Sequence, residues 1–264
     1  MTILKNRAVE NIDRETALAN NQNWSLIFKL DKSILKLNSK IKNTSISLNS
    51  IFPEISQGLI AYDKYKGQSE AIIKNRAYHT LEKTKETHKK WLYGGDVKRY
   101  SLKWNGMEYI EYDTGIANPR DPKYFIGKRI LIREITNPRI YASLTEEELY
   151  NDPSVLIIKD NESSFNIEIL LAILNSKLAT FFHFKSSPKA SKGAFPKILV
   201  YDIKNFPLPK SIKNDRLLTL VNEVIEIKNL NPEADITVLD DEIDKIVYEL
   251  YGLTEEEISI VENS

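Results

Sequence analysis

Arg129-Ile130-Leu131-Ile132-Arg133-Glu134-Ile135 is the stretch that decides the fold. It is β-branched and alternates, so it reads as a strand with Arg129, Leu131, Arg133 and Ile135 on one face. Three more stretches look like strands: Met107–Tyr112, Arg139–Ser143 and Ser154–Lys159. Turn residues such as Asp113, Thr114 and Gly115 lie between them. This spacing predicts a twisted, mostly antiparallel sheet rather than alternating βαβ units. The strand run is followed by the clearest helix, Ile167 to Lys185. Asn166 stands at its cap, and Leu170, Leu171, Leu174, Leu178, Phe181 and Phe182 form its apolar face. Asn175-Ser176-Lys177 interrupts that face with polar residues. A short strand is expected at Lys197–Tyr201. The fold class is therefore α+β, a twisted, mostly antiparallel sheet with a long packing helix and a C-terminal helical segment.

Outward from this centre the chain becomes helical. Ile34, Leu37 and Ile41 share one face, so residues 1–45 read as a helical lead-in. Residues 46–210 form the middle unit. Residues 211–264 form an acidic helical tail, with amphipathic helices at 214–229 and 240–251. Gly252 is placed to end the second of these, and Thr254 with Glu257 makes a capping box for a last short helix.

The net charge of the 264-residue chain is zero, but its distribution is uneven. Residues 64–139 carry 17 basic and 9 acidic groups, whereas residues 211–264 carry 4 basic and 14 acidic. A basic middle suits a polyanion and an acidic tail does not, although a solvated surface can carry the same charges. No apolar run approaches the roughly 18 residues of a membrane span, and the first residues show no apolar signal core. The absence of cysteine removes thiolate chemistry and fits the cytoplasm.

Catalytic motifs are scarce. Three histidines, at 79, 88 and 183, are too scattered for a metal site. His79 and His88 suit a surface or a DNA-backbone contact better than acid–base work. Glu226-Ile227-Lys228 matches a nuclease triplet but falls on a helix of the acidic tail. Thr145-Glu146-Glu147-Glu148 reads as a capped, solvated helical turn, and Asp240-Asp241-Glu242 in the same way. No catalytic or metal-ligating residue is expected.

The basic and aromatic segments carry more. Tyr93-Gly94-Gly95-Asp96-Val97-Lys98-Arg99-Tyr100 places a glycine turn before two cations and a ring. Lys89 and Lys90 beside Trp91, and Lys177 with His183, Phe184 and Lys185, repeat the mixture. Cations neutralise phosphates while rings stack, though Trp91 and Tyr100 serve equally well as core. Lys185, Lys189 and Lys192 lie in or beside a loop suited to gripping phosphate.

In order along the chain, these segments resemble the C-terminal specificity domain of Taq-type adenine DNA methyltransferases and combined type II restriction–modification enzymes. Gly94–Tyr100 is similar to that family's Gly-x-Asp-Ile-x-Arg-Tyr element, and Lys128–Glu134 to its central strand. Leu171–Leu178 resembles the landmark helix, Phe206–Pro209 the closing segment, Leu48–Gly58 the opening, and Leu239–Leu253 the tail. The resemblance implies a DNA-reading module whose partners are double-stranded DNA and a separate methyltransferase or nuclease half. That half would hold S-adenosylmethionine, and this chain would hold no cofactor. Residues 1–45 would then link to the absent half. Under this reading Gly94 and Gly95 hold Lys98, Arg99 and Tyr100 toward DNA, and Arg129 and Arg133 reach the groove. Lys89, Lys90, Lys177, Lys185, Lys189 and Lys192 would support them. A type I specificity half-subunit, or a protein-docking module using the acidic helices, are the alternatives.

Overall fold

The computed structural model describes residues 2–5, 8–11, 30–112, 115–161, 165–190, 195–210 and 214–264. Where the sequence predicts a helical start, strands β1 (Thr2–Lys5) and β2 (Ala8–Asn11) pair as an antiparallel hairpin. Thr2, Ile3 and Val9 supply the β-branched residues that favour such a pairing. Helix begins only at α1 (Lys32–Thr44), which buries Leu37 and Ile41 as its spacing predicts.

Next come β3 (Ser45–Ser47), α2 (Leu48–Ile51), β4 (Ile55–Gln57), α3 (Glu70–Lys74), β5 (His79–Thr80), β6 (His88–Leu92) and β7 (Tyr109–Glu111). Then come the predicted strands β8 (Arg129–Arg133), β9 (Ala142–Thr145), which begins only at the end of the expected Arg139–Ser143, an unpredicted β10 (Tyr150–Asn151), and the predicted β11 (Val155–Lys159). The chain then runs through α4 (Ile167–Asn175), α5 (Lys177–Ser186), α6 (Val200–Lys204) and β12 (Pro207–Pro209). It closes on α7 (Asp215–Leu230), α8 (Thr237–Leu250) and α9 (Glu255–Glu262). The fold is α+β, and among the described strands only β10 and β6 pair in parallel.

The central sheet, ordered β4-β11-β8-β9, is covered on both faces. Ile130, Ile132, Leu156 and Ile158 face a core built with α4, α5, α7 and α8. Leu131, Val155 and Ile157 face a second core with Trp91, Leu92, Ile110, Phe125 and Tyr150. That second core lies beneath the sheet β10-β6-β7-β5. Burial on both faces explains why these strands read as nearly continuous apolar runs.

The predicted long helix is two helices bent by 65° at Ser176. Asn166 caps the first, accepting from Glu168 N at 2.8 Å and Ile169 N at 3.2 Å. At its end the Asn175 amide leaves the helix pattern. It accepts from Ala142 N at 3.1 Å and donates to Ala142 O at 3.0 Å. Ser176 then caps α5 by accepting from Ala179 N at 3.1 Å. No single helix among the described residues is long and apolar enough to cross a membrane.

Two local expectations differ. At Lys197–Tyr201 only Lys197 bridges, to Ile135, because Asp202 accepts from Leu199 N at 2.9 Å and starts α6. At Thr145–Glu148 the chain leaves β9 without forming a helical turn, and Glu147 N donates to Thr145 Oγ1 at 3.2 Å. The tail helices form as expected, with Gly252 at φ 62° and the Thr254–Glu257 capping box in place.

Candidate nucleic-acid interface

The glycine turn is pressed against β11. Gly94–Asp96 is a short 3-10 turn, and Tyr93 N donates to Asp96 Oδ2 at 2.9 Å. Gly94 N donates to Ser154 Oγ at 2.8 Å. A Cβ on Gly94 would meet Ser154 O at 3.0 Å, so glycine here permits a close approach. The left-handed residue of the stretch is instead Tyr100, at φ 57°. Its N–H donates to Ala142 O at 2.9 Å and its ring is buried. Tyr100 is therefore a core residue, not the exposed ring expected from the motif.

The two neighbouring cations part company. Lys98 is exposed and forms no ion pair among the described residues. Arg99 turns inward. Its Nη2 donates to the main-chain oxygen of Asn175 at 3.0 Å and to the carboxylate of Asp240. Arg139 donates to the same Asn175 oxygen, and its Nη1 lies 3.8 Å from Asp240 Oδ2. That oxygen sits at the C-terminus of α4, where unpaired carbonyls attract cations. Burial lowers the Arg139 pKa, and the nearby Arg99 charge lowers it further.

Lys177 belongs to the same node. Its N–H donates to Asp244 Oδ1 at 2.8 Å, and its ammonium lies 3.1 Å from Asp241 and 3.2 Å from Glu262. Burial pushes the Asp244 carboxyl up to about 6, and the Asp240 charge adds to this against the Lys177 N–H, Lys177 and Arg139. Two residues expected at the DNA surface, Arg99 and Lys177, thus hold the acidic tail onto the sheet. Arg139 and Asp240 complete this node. Sequence spacing carries no sign of it, since the partners are distant in the chain.

Arg129 is also turned inward. Its face of β8 is covered by the second core, and the guanidinium donates to the carbonyls of Gly127 and Glu147 at 2.8 Å and Leu149 at 3.3 Å. Burial lowers its pKa to about 10. It is a structural cation in a carbonyl cage and does not reach a groove. Arg133, at the other end of the strand, is half-buried, with its guanidinium 5.1 Å from the Tyr141 ring centre.

The remaining expected contacts divide by partner. Lys89 pairs with Glu148 at 2.9 Å and Lys90 with Glu147 at 3.1 Å. The Lys90 ammonium also lies 5.2 Å from the Trp104 ring centre. Trp91 is core, with His79 edge-on at 4.9 Å. Lys185 is half-buried and Lys189 exposed, while Lys192 lies outside the described residues. Gly95 faces open space.

The histidines are interior groups rather than surface contacts. His79 Nδ1 lies 2.8 Å from Tyr62 Oη, and burial lowers its pKa to about 4. His183 is buried and is lowered to about 4 by the same cause. His88 is buried 3.9 Å from Glu111. Among the described residues no group of three or more His, Cys, Asp or Glu is arranged to hold a metal ion.

Residues 89–208, from β6 to β12, match the model of the TaqI-like C-terminal specificity domain. The motifs Gly94–Tyr100, Lys128–Glu134 and Leu171–Leu178 fall inside that match and Phe206–Pro209 at its end, while Leu48–Gly58 and Leu239–Leu253 lie outside it. The chain is 26% identical over 257 residues to a curated relative described as a putative type II restriction enzyme and methyltransferase of Methanocaldococcus jannaschii. That alignment covers 86% of this chain and 22% of the relative, so the chain spans about a fifth of its length. The fold is shared with the type IIL restriction–modification enzyme MmeI solved in complex with DNA. The TM-score is 0.52 at 9% identity, covering 78% of this chain and 34% of that one.

Proposed function

We propose that this chain is the DNA sequence-reading module of a restriction–modification system. It recognises double-stranded DNA in the cytoplasm and positions a separate adenine methyltransferase half, with or without a nuclease. The observation that carries the reading is the match of residues 89–208 to a specificity domain. The charge layout supports it. Lys98 and Lys189 are exposed cations on this unit, while the acidic tail is drawn inward through Asp240 and Asp244.

Residues 46–210 are the recognition unit in this reading, and residues 1–45 the link to the catalytic half. S-adenosylmethionine would be held by that other half. The sequence has no glycine-rich fingerprint opening a strand-to-helix turn, which supports placing the cofactor in that half. This chain contributes recognition and no reacting group.

The test is selection from a pool of random duplexes with a salt titration. Enrichment of a short motif, with affinity falling steeply as salt rises, is the expected outcome. A chain that binds no duplex at low salt would overturn the reading.

A further inference from the structure

Residues 64–87 carry no buried side chain, yet the stretch is fixed to the second sheet. Asp63 accepts from Tyr65 N at 2.8 Å and its own N–H donates to Gln68 Oε1 at 2.9 Å. Gln68 in turn donates to Ala61 O at 2.9 Å and Gly115 O at 2.7 Å. Farther along, Arg76 donates to Tyr93 Oη at 2.8 Å and to Glu108 at 3.0 Å. Tyr78 stacks on Tyr62 with ring centres 5.6 Å apart. β5 then pairs with β7 through His79 and Thr80, at the edge of the sheet β10-β6-β7-β5. Apart from Tyr78 and His79, which lie against the second core, the segment is held in place without filling a core.

What it presents outward is specific. Tyr65 is 83% exposed and Leu81 71% exposed, and Met107, next to the Glu108 that Arg76 holds, is 64% exposed. Single exposed apolar side chains are ordinary on a surface, and what sets these apart is the basic segment they stand in. Residues 64–87 carry 6 basic and 3 acidic groups. Lys64, Lys66 and Lys74 form no ion pair among the described residues, and the Lys64 ammonium lies 4.9 Å from the Tyr65 ring centre. Cations beside exposed apolar tips suit phosphates flanking base or sugar edges, and the specificity-domain match that follows in the chain favours DNA as the occupant. This segment also lies wholly before residues 89–208, outside the matched domain.

We infer that residues 64–87 form a DNA-contacting arm, with Lys64, Lys66 and Lys74 on phosphates and Tyr65 and Leu81 against base or sugar edges. The inference rests on the proposed DNA-reading function and names the element that carries it.

The experiment compares the 264-residue chain with two triple variants of equal charge change, using random duplex DNA over a salt series. One is Lys64→Ala/Lys66→Ala/Lys74→Ala. The other is Lys32→Ala/Lys36→Ala/Lys245→Ala, at exposed lysines elsewhere. The first should flatten the slope of log affinity against log salt by about 2 to 3, and the second by less than about 0.5. Tyr65→Ala should alter the enriched motif. If the parent binds and the arm variant keeps the parent slope, or both triples flatten it equally, the inference falls and the DNA-reading function stands. If the parent binds no duplex, both fall together.

Discussion

Arg99 and Asp240, separated by 141 positions, meet as a largely buried ion pair that fastens the turn after β6 to helix α8. Removing Arg99 leaves Asp240 with only Arg139 at 3.8 Å, and removing Asp240 leaves both guanidiniums crowded on one carbonyl, so breaking the pair costs about 3 kcal/mol. Arg99→Ala should therefore lower unfolding stability by about that amount, measured by urea titration. Asp240→Ala should do the same, and the double variant should cost clearly less than the sum. A stable Arg99→Ala chain with altered base choice would show that Arg99 is a reading residue after all.

Lys98 provides the contrast one residue away. It is exposed, so Lys98→Ala should leave stability within about 0.5 kcal/mol of the parent. If it touches a phosphate, the same change should flatten the salt dependence of duplex binding by about 1. Adjacent cations would then separate cleanly, one by urea titration and the other by binding.

Arg129→Met removes the donor that serves three carbonyls in a closed cage. Unsatisfied buried acceptors cost about 1–3 kcal/mol each at most sites, so a total loss of about 3 kcal/mol is expected. The enriched DNA motif should not change in whatever folded fraction remains. A shift in motif without a loss of stability would contradict the buried cage.

The acid response contains opposing parts. His79 and His183, each at about 4 in the folded chain, sit below the ordinary histidine value. The unfolded chain therefore binds more protons, and their contribution to stability is lost as pH falls from about 6.5 toward 4. Asp244, at about 6, is raised above its ordinary value. Its contribution is full below about 4 and is lost as pH rises through 6. Asp244→Asn keeps an acceptor for Lys177 N but deletes this counter-slope. Between pH 4 and 7 the variant should gain about 2 kcal/mol more than the parent does. Equal pH profiles for the two proteins would place the Asp244 carboxyl near its ordinary value.

The sequence pattern identifies β8, β11, the apolar face of α4 and α5 and the tail helices because each follows from a local period or cap. Ser176 shows where locality ends. The polar break is visible in Asn175-Ser176-Lys177, but the 65° bend depends on Ala142, which lies on another strand. The site was legible in kind and not in detail. A Lys-Arg-Tyr triplet announces charge and a ring, yet Arg99 and Tyr100 turn inward because their partners, Asp240 and Ala142, arrive from elsewhere in the chain. Alternation placed Arg129 and Leu131 on one face correctly. It could not reveal that a second sheet covers that face.

The anchoring of residues 64–87 by a few polar contacts, with only Tyr78 and His79 set against a core, has a consequence for change over time. Substitutions at its exposed positions, such as 64–67, 74–77 and 81–87, meet water rather than packed neighbours, so those positions can change while β8, β11 and the helices behind them keep their shape. Scaffold and exposed surface are thus under separate physical constraints, and a change in the one leaves the packing of the other untouched.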